Sequence, residues 1–290
     1  MTCDLFLPQL TADNSYTFYC EEFGETFHSQ QGAKTEAEHK FVAPTRLNIK
    51  AHQPVVRILD VCYGLGYNTA AALATIWAVN PDCLIEVIAL ESNANIPNSA
   101  INHNLLDSWE PDIRQVLTLL ASNHQVKTAR CQGTLLLGDA RQTIKLIPSS
   151  FKADAIFLDP FSPPKCPQLW TVEFINLVAK CLNDQGILAT YSAAAAVRTA
   201  LQAAGLYIGN TVSIGRRSPS TIATKYKLPP LSTIGQEHLL TRAAIPYRDP
   251  FLQDDTEVIL HRRQQEQQIS LLEPTARWHR RTHRKFTKAL

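Results

Sequence analysis

Between positions 55 and 226, short runs of aliphatic and β-branched residues alternate with longer stretches in which apolar residues recur every three or four positions. The short runs suit strands buried on both faces and the longer stretches suit amphipathic helices, so the alternation describes a parallel sheet covered by helices on both sides. Strands are predicted at 55–61, 84–90, 134–137, 155–158, 187–191, 207–212 and 221–226, and helices at 68–78, 111–121, 140–146, 171–181 and 194–203. No helical stretch separates the last two strands, and the intervening GRRSPS is turn-like. They are expected to close a seven-stranded, mostly parallel sheet as an antiparallel hairpin. The fold class is therefore α/β and Rossmann-like.

Ahead of this unit, 16–27 alternates like a hairpin and 34–41 like a short helix that ends before Pro44. Such an extension is expected to pack over the ligand end of the sheet. From about 228 the chain turns to Pro, Gln and charge, with one helix expected through 259–273. The organisation reads as an N-terminal extension over 1–50, a catalytic domain over 51–227 and a C-terminal extension over 228–290.

With 45% hydrophobic and 19% charged residues the chain is that of a folded globular protein rather than a disordered or fibrous one. It has no apolar run near the roughly 18–20 residues that span a bilayer, and its start lacks a basic region followed by an apolar one. A cytoplasmic location is expected. The seven cysteines are odd in number and widely spaced, with no CxxC pair or Cys/His cluster at ligand spacing, so they read as reduced packing residues and no metal is expected. Cys166, behind a proline-rich loop, has the strongest claim to a reactive thiol.

Net charge changes the picture only at one end. The fourteen residues from Arg277 carry six basic side chains and no acidic one, leaving 22 basic against 26 acidic residues elsewhere. A like-charge block is usually a solvated tail, but here Trp278, His279, His283 and Phe286 interleave stacking groups with phosphate-seeking cations, as nucleic-acid contacts require.

Four strand ends carry the candidate chemistry. The segment ILDVCYGLGYNTAAAL runs from a strand into a glycine turn and an Ala-rich helix, where Gly64 and Gly66 let the backbone approach a ligand and the helix start offers unpaired N–H groups. Thr69 stands where GxGxxG has its third glycine, which disfavours a dinucleotide. Glu91 ends the next strand, 31 residues after Asp60, where a carboxylate can accept from both ribose hydroxyls. Asp139 follows the third strand and opens a helix, in position to read adenine or simply to cap that helix. Asp159 ends the fourth strand ahead of the stiff loop PFSPPKCPQLWT, a platform for positioning a nucleophile.

The series LDVCYGLGYN, LES, LGDAR, LDPFSPPKCPQLWT, GILATYSAAAAVRTALQAAGL and GRRSPSTIAT, over roughly 16–225, resembles the methyltransferase half of the MnmC family of bifunctional tRNA wobble-uridine enzymes. The resemblance implies a class I S-adenosylmethionine methyltransferase that methylates the primary amine of 5-aminomethyl-2-thiouridine at tRNA position 34. It implies Gly64 and Gly66 under the methionine moiety, Glu91 on the ribose, Asp139 on adenine and Asp159 facing the methyl and the acceptor amine. Asp60, Tyr63, Asn68 and Ala140 complete the expected cofactor set. Phe161, Lys165, Trp170, Arg216 and Arg217, with the basic tail, are the candidates for tRNA contact. A flavin-binding half is missing and no GxGxxG lies downstream, so no FAD is expected. Oligomeric state is left open. Rival readings are an aminopropyltransferase or methyltransferase acting on another amine, a nicotinamide oxidoreductase and a noncatalytic RNA-binding module.

Overall fold

The computed structural model describes residues 6–211 and 220–287. Its centre is an eight-stranded sheet: β1 (Val55–Val61), β2 (Leu84–Glu91), β3 (Gln125–Lys127), β4 (Cys131–Leu137), β5 (Ala153–Leu158), β6 (Leu182–Thr190), β7 (Tyr207–Asn210) and β8 (Thr221–Thr224). The order across the sheet is β7-β8-β6-β5-β1-β2-β4-β3. Strands β6, β5, β1, β2 and β4 run parallel, whereas β8 lies antiparallel to β6 and to β7, and β3 antiparallel to β4. The closing hairpin is thus as expected, although its connecting turn, with Arg216 and Arg217, lies outside the described residues.

Side chains of the central strands alternate between two cores. Val56 and Ile58 of β1 join one apolar cluster with the helix Tyr67–Val79, and Leu59 and Val61 join the other with the helices Val172–Lys180 and Ala195–Ala203. Burial on both faces is why these strands read as continuous apolar runs. Their registers are flush: Val61 lies opposite Leu90 and Leu158, and Leu137 opposite Glu91. The residues that follow, at 62, 91–92, 138 and 159, therefore emerge along one edge.

The structure departs from the sequence pattern in three places. Strand β3 is an eighth strand; its three residues offer one buried apolar position, Val126, too little for a periodic signal. Strand β4 begins at Cys131 and passes through Gly133, a residue that weakens a strand reading. Strand β6 begins at Leu182, and its register shifts between Leu182 and Ile187 across the polar Asn183-Asp184-Gln185. Gly186 makes that bulge possible, because a Cβ there would sit 2.6 Å from the Ala153 carbonyl oxygen.

The N-terminal extension forms two short antiparallel pairings, Gln9–Leu10 with Tyr16–Thr17 and Tyr19–Cys20 with Glu25–Thr26. A helical segment follows, Ala33–Glu36 continuing in π form through Val42. Asp13 pins these parts together, accepting from the Ser15 and Thr35 backbone N–H groups at 3.0 and 2.8 Å. At the other end, the helices Thr256–Ile269 and Thr275–Thr287 join the domain through Arg141, whose Nη1 donates to buried Asp249 at 2.8 Å, and through a bridge between Thr171 and Tyr247. The first helix starts at 256, three residues ahead of the expected stretch, because Asp255 caps it through the Val258 N–H. Among the described residues, no helix is long and apolar enough to cross a membrane.

The Gly186→Ala variant is expected to lose about 1–3 kcal/mol of stability through overpacking against the β5 backbone, measurable as a lower midpoint in denaturant at unchanged slope.

Candidate functional site

A cleft of about 1070 Å³ opens outside the carboxyl ends of the parallel strands, where open α/β sheets place their ligands. The sheet contributes Cys62, Tyr63 and Gly64 after β1, Glu91 and Ser92 at the end of β2, and Asp159, Pro160 and Phe161 after β5.

The loop after β1 is held by backbone geometry. The N–H groups of Cys62 and Tyr63 both donate to the Leu90 carbonyl at 3.0 Å, turning the chain out of the strand. Gly66, at φ +88°, starts the helix Tyr67–Val79, and a Cβ there would lie 2.7 Å from the Tyr63 hydroxyl. The absence of a side chain is therefore required twice, by conformation and by space. Glu91 fixes the other side of the loop. One carboxylate oxygen accepts from the Gly64 N–H at 2.9 Å, the other from the N–H groups of Ser92 (2.8 Å) and Asn93 (3.0 Å). Burial pushes its carboxyl above the ordinary range while these three donors pull it back.

Asp60, expected beside the cofactor, is instead wholly buried behind the loop, where it accepts from Thr69 Oγ1 at 2.7 Å. Burial raises its carboxyl to about 7, and its second oxygen has no partner. It braces the loop from inside rather than facing the cleft.

Asp159 does face the cleft. Its Oδ2 accepts from Asn68 Nδ2 at 2.9 Å, so Asn68, expected on the cofactor, turns its amide on the candidate catalytic carboxylate. Burial holds the Asp159 carboxyl well above the usual range, and the Asn68 bond opposes that rise. The loop beyond is rigid for reasons besides its prolines. Trp170 Nε1 donates to the Phe161 carbonyl at 2.8 Å, Tyr191 Oη to the Pro160 carbonyl at 2.9 Å, and the Ser162 N–H to Glu25 at 3.1 Å. Trp170, expected to stack on substrate, is fully buried with its only donor used, and so is a brace. Phe161 stacks on Phe23 with centroids 4.5 Å apart and meets Phe27 edge-on at 5.0 Å, which gives the cleft an aromatic wall. Lys165 is exposed near Gly24, outside the cleft lining.

Asp139 and Ala140 are not brought to the cleft lining. Asp139 caps its helix through the Arg141 N–H at 2.9 Å, and the Arg141 guanidinium forks onto both its oxygens, at 2.8 Å for Nη2–Oδ2. The capping reading is present, and any donor from a ligand has to share this carboxylate with Arg141. Burial pushes the Cys166 thiol to about 12 and Cys62 well above its ordinary value, so neither is a reactive thiolate at neutral pH. No group of His, Cys, Asp and Glu among the described residues is arranged to hold a metal.

The sequence pattern placed the N-terminal extension over this edge without nominating its residues. Phe23, Phe27, His28, Glu36 and Lys40 all line the cleft. The only local signal was the i, i+4 pair of Glu36 and Lys40, which are ion-paired here. Burial drives the His28 imidazole down to about 4, so the ring is neutral at physiological pH.

A family described as S-adenosyl-L-methionine-dependent methyltransferase matches residues 103–226. The crystal structure of MnmC2 from Aquifex aeolicus is 35% identical in sequence and superposes with a TM-score of 0.80, over 90% of this chain and 85% of that one. The chain belongs to the MnmC family of methyltransferases. An uncharacterized protein of Methanocaldococcus jannaschii is 31% identical over 88% of this chain and 70% of its own length. The tRNA 5-methylaminomethyl-2-thiouridine biosynthesis bifunctional protein MnmC of Polaromonas naphthalenivorans is 30% identical over 66% of this chain. This MnmC-family chain spans about a third of the length of such bifunctional relatives. Membership makes S-adenosyl-L-methionine its methyl donor and displaces the nicotinamide and noncatalytic readings. The cleft fits that donor: glycine backbone, a bridging carboxylate and an aromatic wall converge on it.

Glu91→Ala is expected to weaken S-adenosyl-L-methionine binding by roughly 10- to 100-fold, since it removes a buried charged acceptor and leaves the Gly64, Ser92 and Asn93 N–H groups unpaired; titration calorimetry checks it.

Proposed function

We propose that this chain transfers a methyl group from S-adenosyl-L-methionine to the aminomethyl nitrogen of 5-aminomethyl-(2-thio)uridine at the tRNA wobble position. The observation that carries the reading is Asp159: an acceptor on the cleft wall, held by Asn68 and by a loop braced through Trp170, Tyr191 and Glu25. The bifunctional MnmC relatives, named for tRNA 5-methylaminomethyl-2-thiouridine biosynthesis, support the choice of nucleoside.

When bound, S-adenosyl-L-methionine supplies a methyl already activated by its sulfonium. What the protein adds is an amine in the right protonation state and position. An alkylammonium has no lone pair, so the acceptor nitrogen has to lose a proton before or as it attacks. Ionised Asp159 accepts a hydrogen bond from that nitrogen, orients the lone pair and takes the proton. Asn68 fixes one carboxylate oxygen and so leaves the other to the substrate. Glu91 and the loop Cys62–Gly66 hold the donor side, and Phe161, Phe23 and Phe27 offer the flat surface against which an unstacked pyrimidine rests. Orientation is the larger contribution, because positioned reactants need little further rearrangement.

The decisive experiment incubates the protein with S-adenosyl-L-methionine and tRNA bearing 5-aminomethyl-2-thiouridine, then digests the tRNA for nucleoside mass spectrometry. A nucleoside heavier by one methyl is expected; an unmodified nucleoside overturns the reading. Methylation of a free polyamine in its place supports the alternative amine substrate.

Asp159→Asn is expected to lower turnover by about 10²–10⁴-fold with S-adenosyl-L-methionine affinity unchanged. The rate of the parent protein rises with pH, because only ionised Asp159 accepts the proton and its carboxyl titrates above the ordinary carboxylate range. The Asn68 bond stabilises the ionised form, so Asn68→Ala shifts this rise to higher pH, as a pH profile of single-turnover rate will show.

A further inference from the structure

The helix Thr275–Thr287 is built with two unlike faces. On the inner face, Trp278 is 6% exposed and stacks on His238 with centroids 4.6 Å apart and planes 9° from parallel. Its Nε1 donates to Glu237 at 3.3 Å, and buried Thr282, one turn on, bonds back to the Trp278 carbonyl. Arg281 closes this side by pairing with both Glu237 (3.1 Å) and Glu273 (3.0 Å). The bridge between Thr241 and Glu273 ties the helix start to the rest of the extension. On the outer face Arg277 and Arg280 are exposed, and neither side chain meets an acidic group among the described residues.

That arrangement carries a cost. Arg277, Arg280 and Arg281 repel one another at helical spacing, and the sequence from 277 to 290 contains no acid to offset them. A solvated helix ordinarily alternates sign along its surface. Here two acids on neighbouring segments neutralise Arg281, the arginine that anchors the helix. The outward pair is left as a fixed positive surface, held by an aromatic stack rather than carried on a loose tail. Among the described side chains of the helix, the large apolar ring, Trp278, is turned inward and away from the outer face.

We propose that this outer face, centred on Arg277 and Arg280, is a docking surface for the phosphate backbone of RNA, and that it grips tRNA away from the base in the cleft. The proposal rests on the tRNA reading above and extends it to a second point of contact. Guanidinium groups recognise phosphate through paired N–H donors, and a rigid helix presents them without the ordering cost of a flexible tail. The contact adds affinity without reading sequence.

The test uses the full-length chain carrying Arg277→Glu and Arg280→Glu, both exposed positions outside the anchoring contacts. The control is the chain with Lys145→Glu and Lys180→Glu, an equal change of charge on the rim of a separate pocket. Binding of an unmodified tRNA transcript is measured over a range of KCl concentrations, with S-adenosyl-L-methionine affinity measured in parallel. The arginine variant is expected to lose about tenfold or more in tRNA affinity near ~0.1 M salt, and its plot of log affinity against log salt to flatten by roughly 1.5–2, as loss of two phosphate contacts requires. Donor affinity stays unchanged, and the lysine variant follows the parent. If the arginine variant binds tRNA with the parent's affinity and salt slope, the docking proposal falls while the cleft assignment stands. An equal loss in both variants also overturns it, since net charge then explains the effect. A parent chain that does not bind tRNA removes the tRNA reading and this proposal together.

Discussion

The carboxylate of Glu91 joins the loop after β1 to the turn after β2, beside the bonds from the Cys62 and Tyr63 N–H groups to the Leu90 carbonyl. By accepting from the Gly64 N–H on one side and from Ser92 and Asn93 on the other, it sets the distance between the glycine loop and the β2 turn. Everything else at the cleft depends on that spacing. The loop in turn places Gly66 at the helix start, the helix places Asn68, and Asn68 places the side chain of Asp159. A buried carboxylate is costly unless its acceptors are filled, and filling them with backbone donors makes the loop stiff at the same time.

Around this axis the protein stabilises its substrate side by covering it. Glu25 from the N-terminal extension bonds Ser162, and Phe23 and Phe27 pack on Phe161. The wall of the cleft is thus shared between the sheet and a segment more than a hundred residues away in sequence. Burial sets the electrostatics as well: it keeps His28 neutral and lifts the Asp159 carboxyl above the range of a solvated carboxylate. The C-terminal extension acts on the opposite flank. Arg141 couples Asp139 to Asp249, which links the helix after β4 to the segment that leads into the two terminal helices.

Much of this was legible in the chain itself. The apolar runs gave the central strands because burial on both faces leaves no polar positions to confuse the pattern, and Gly64, Gly66, Glu91 and Asp159 stood out because ligand chemistry at strand ends needs those residue types. The short edge strand β3 and the bulge in β6 were not legible, since one buried valine and a run of polar residues carry no period.

Sequence alone determined that a nucleotide-type loop is followed by acidic strand ends, and the motif series through 159–171 pointed to a methyltransferase. Tertiary structure decided what each side chain does. Asp60 and Trp170 look like site residues in the linear pattern, yet one is buried on Thr69 and the other on the Phe161 carbonyl. Asn68 changed partner for the same reason, its amide being aimed at Asp159 across 91 positions of chain. The basic run after Arg277 divided into an anchor and an outward face only once Glu237, His238 and Glu273 were seen beneath it. Residue type and spacing fix which chemistry is available, whereas burial and long-range hydrogen bonds, which no local pattern encodes, fix where that chemistry points.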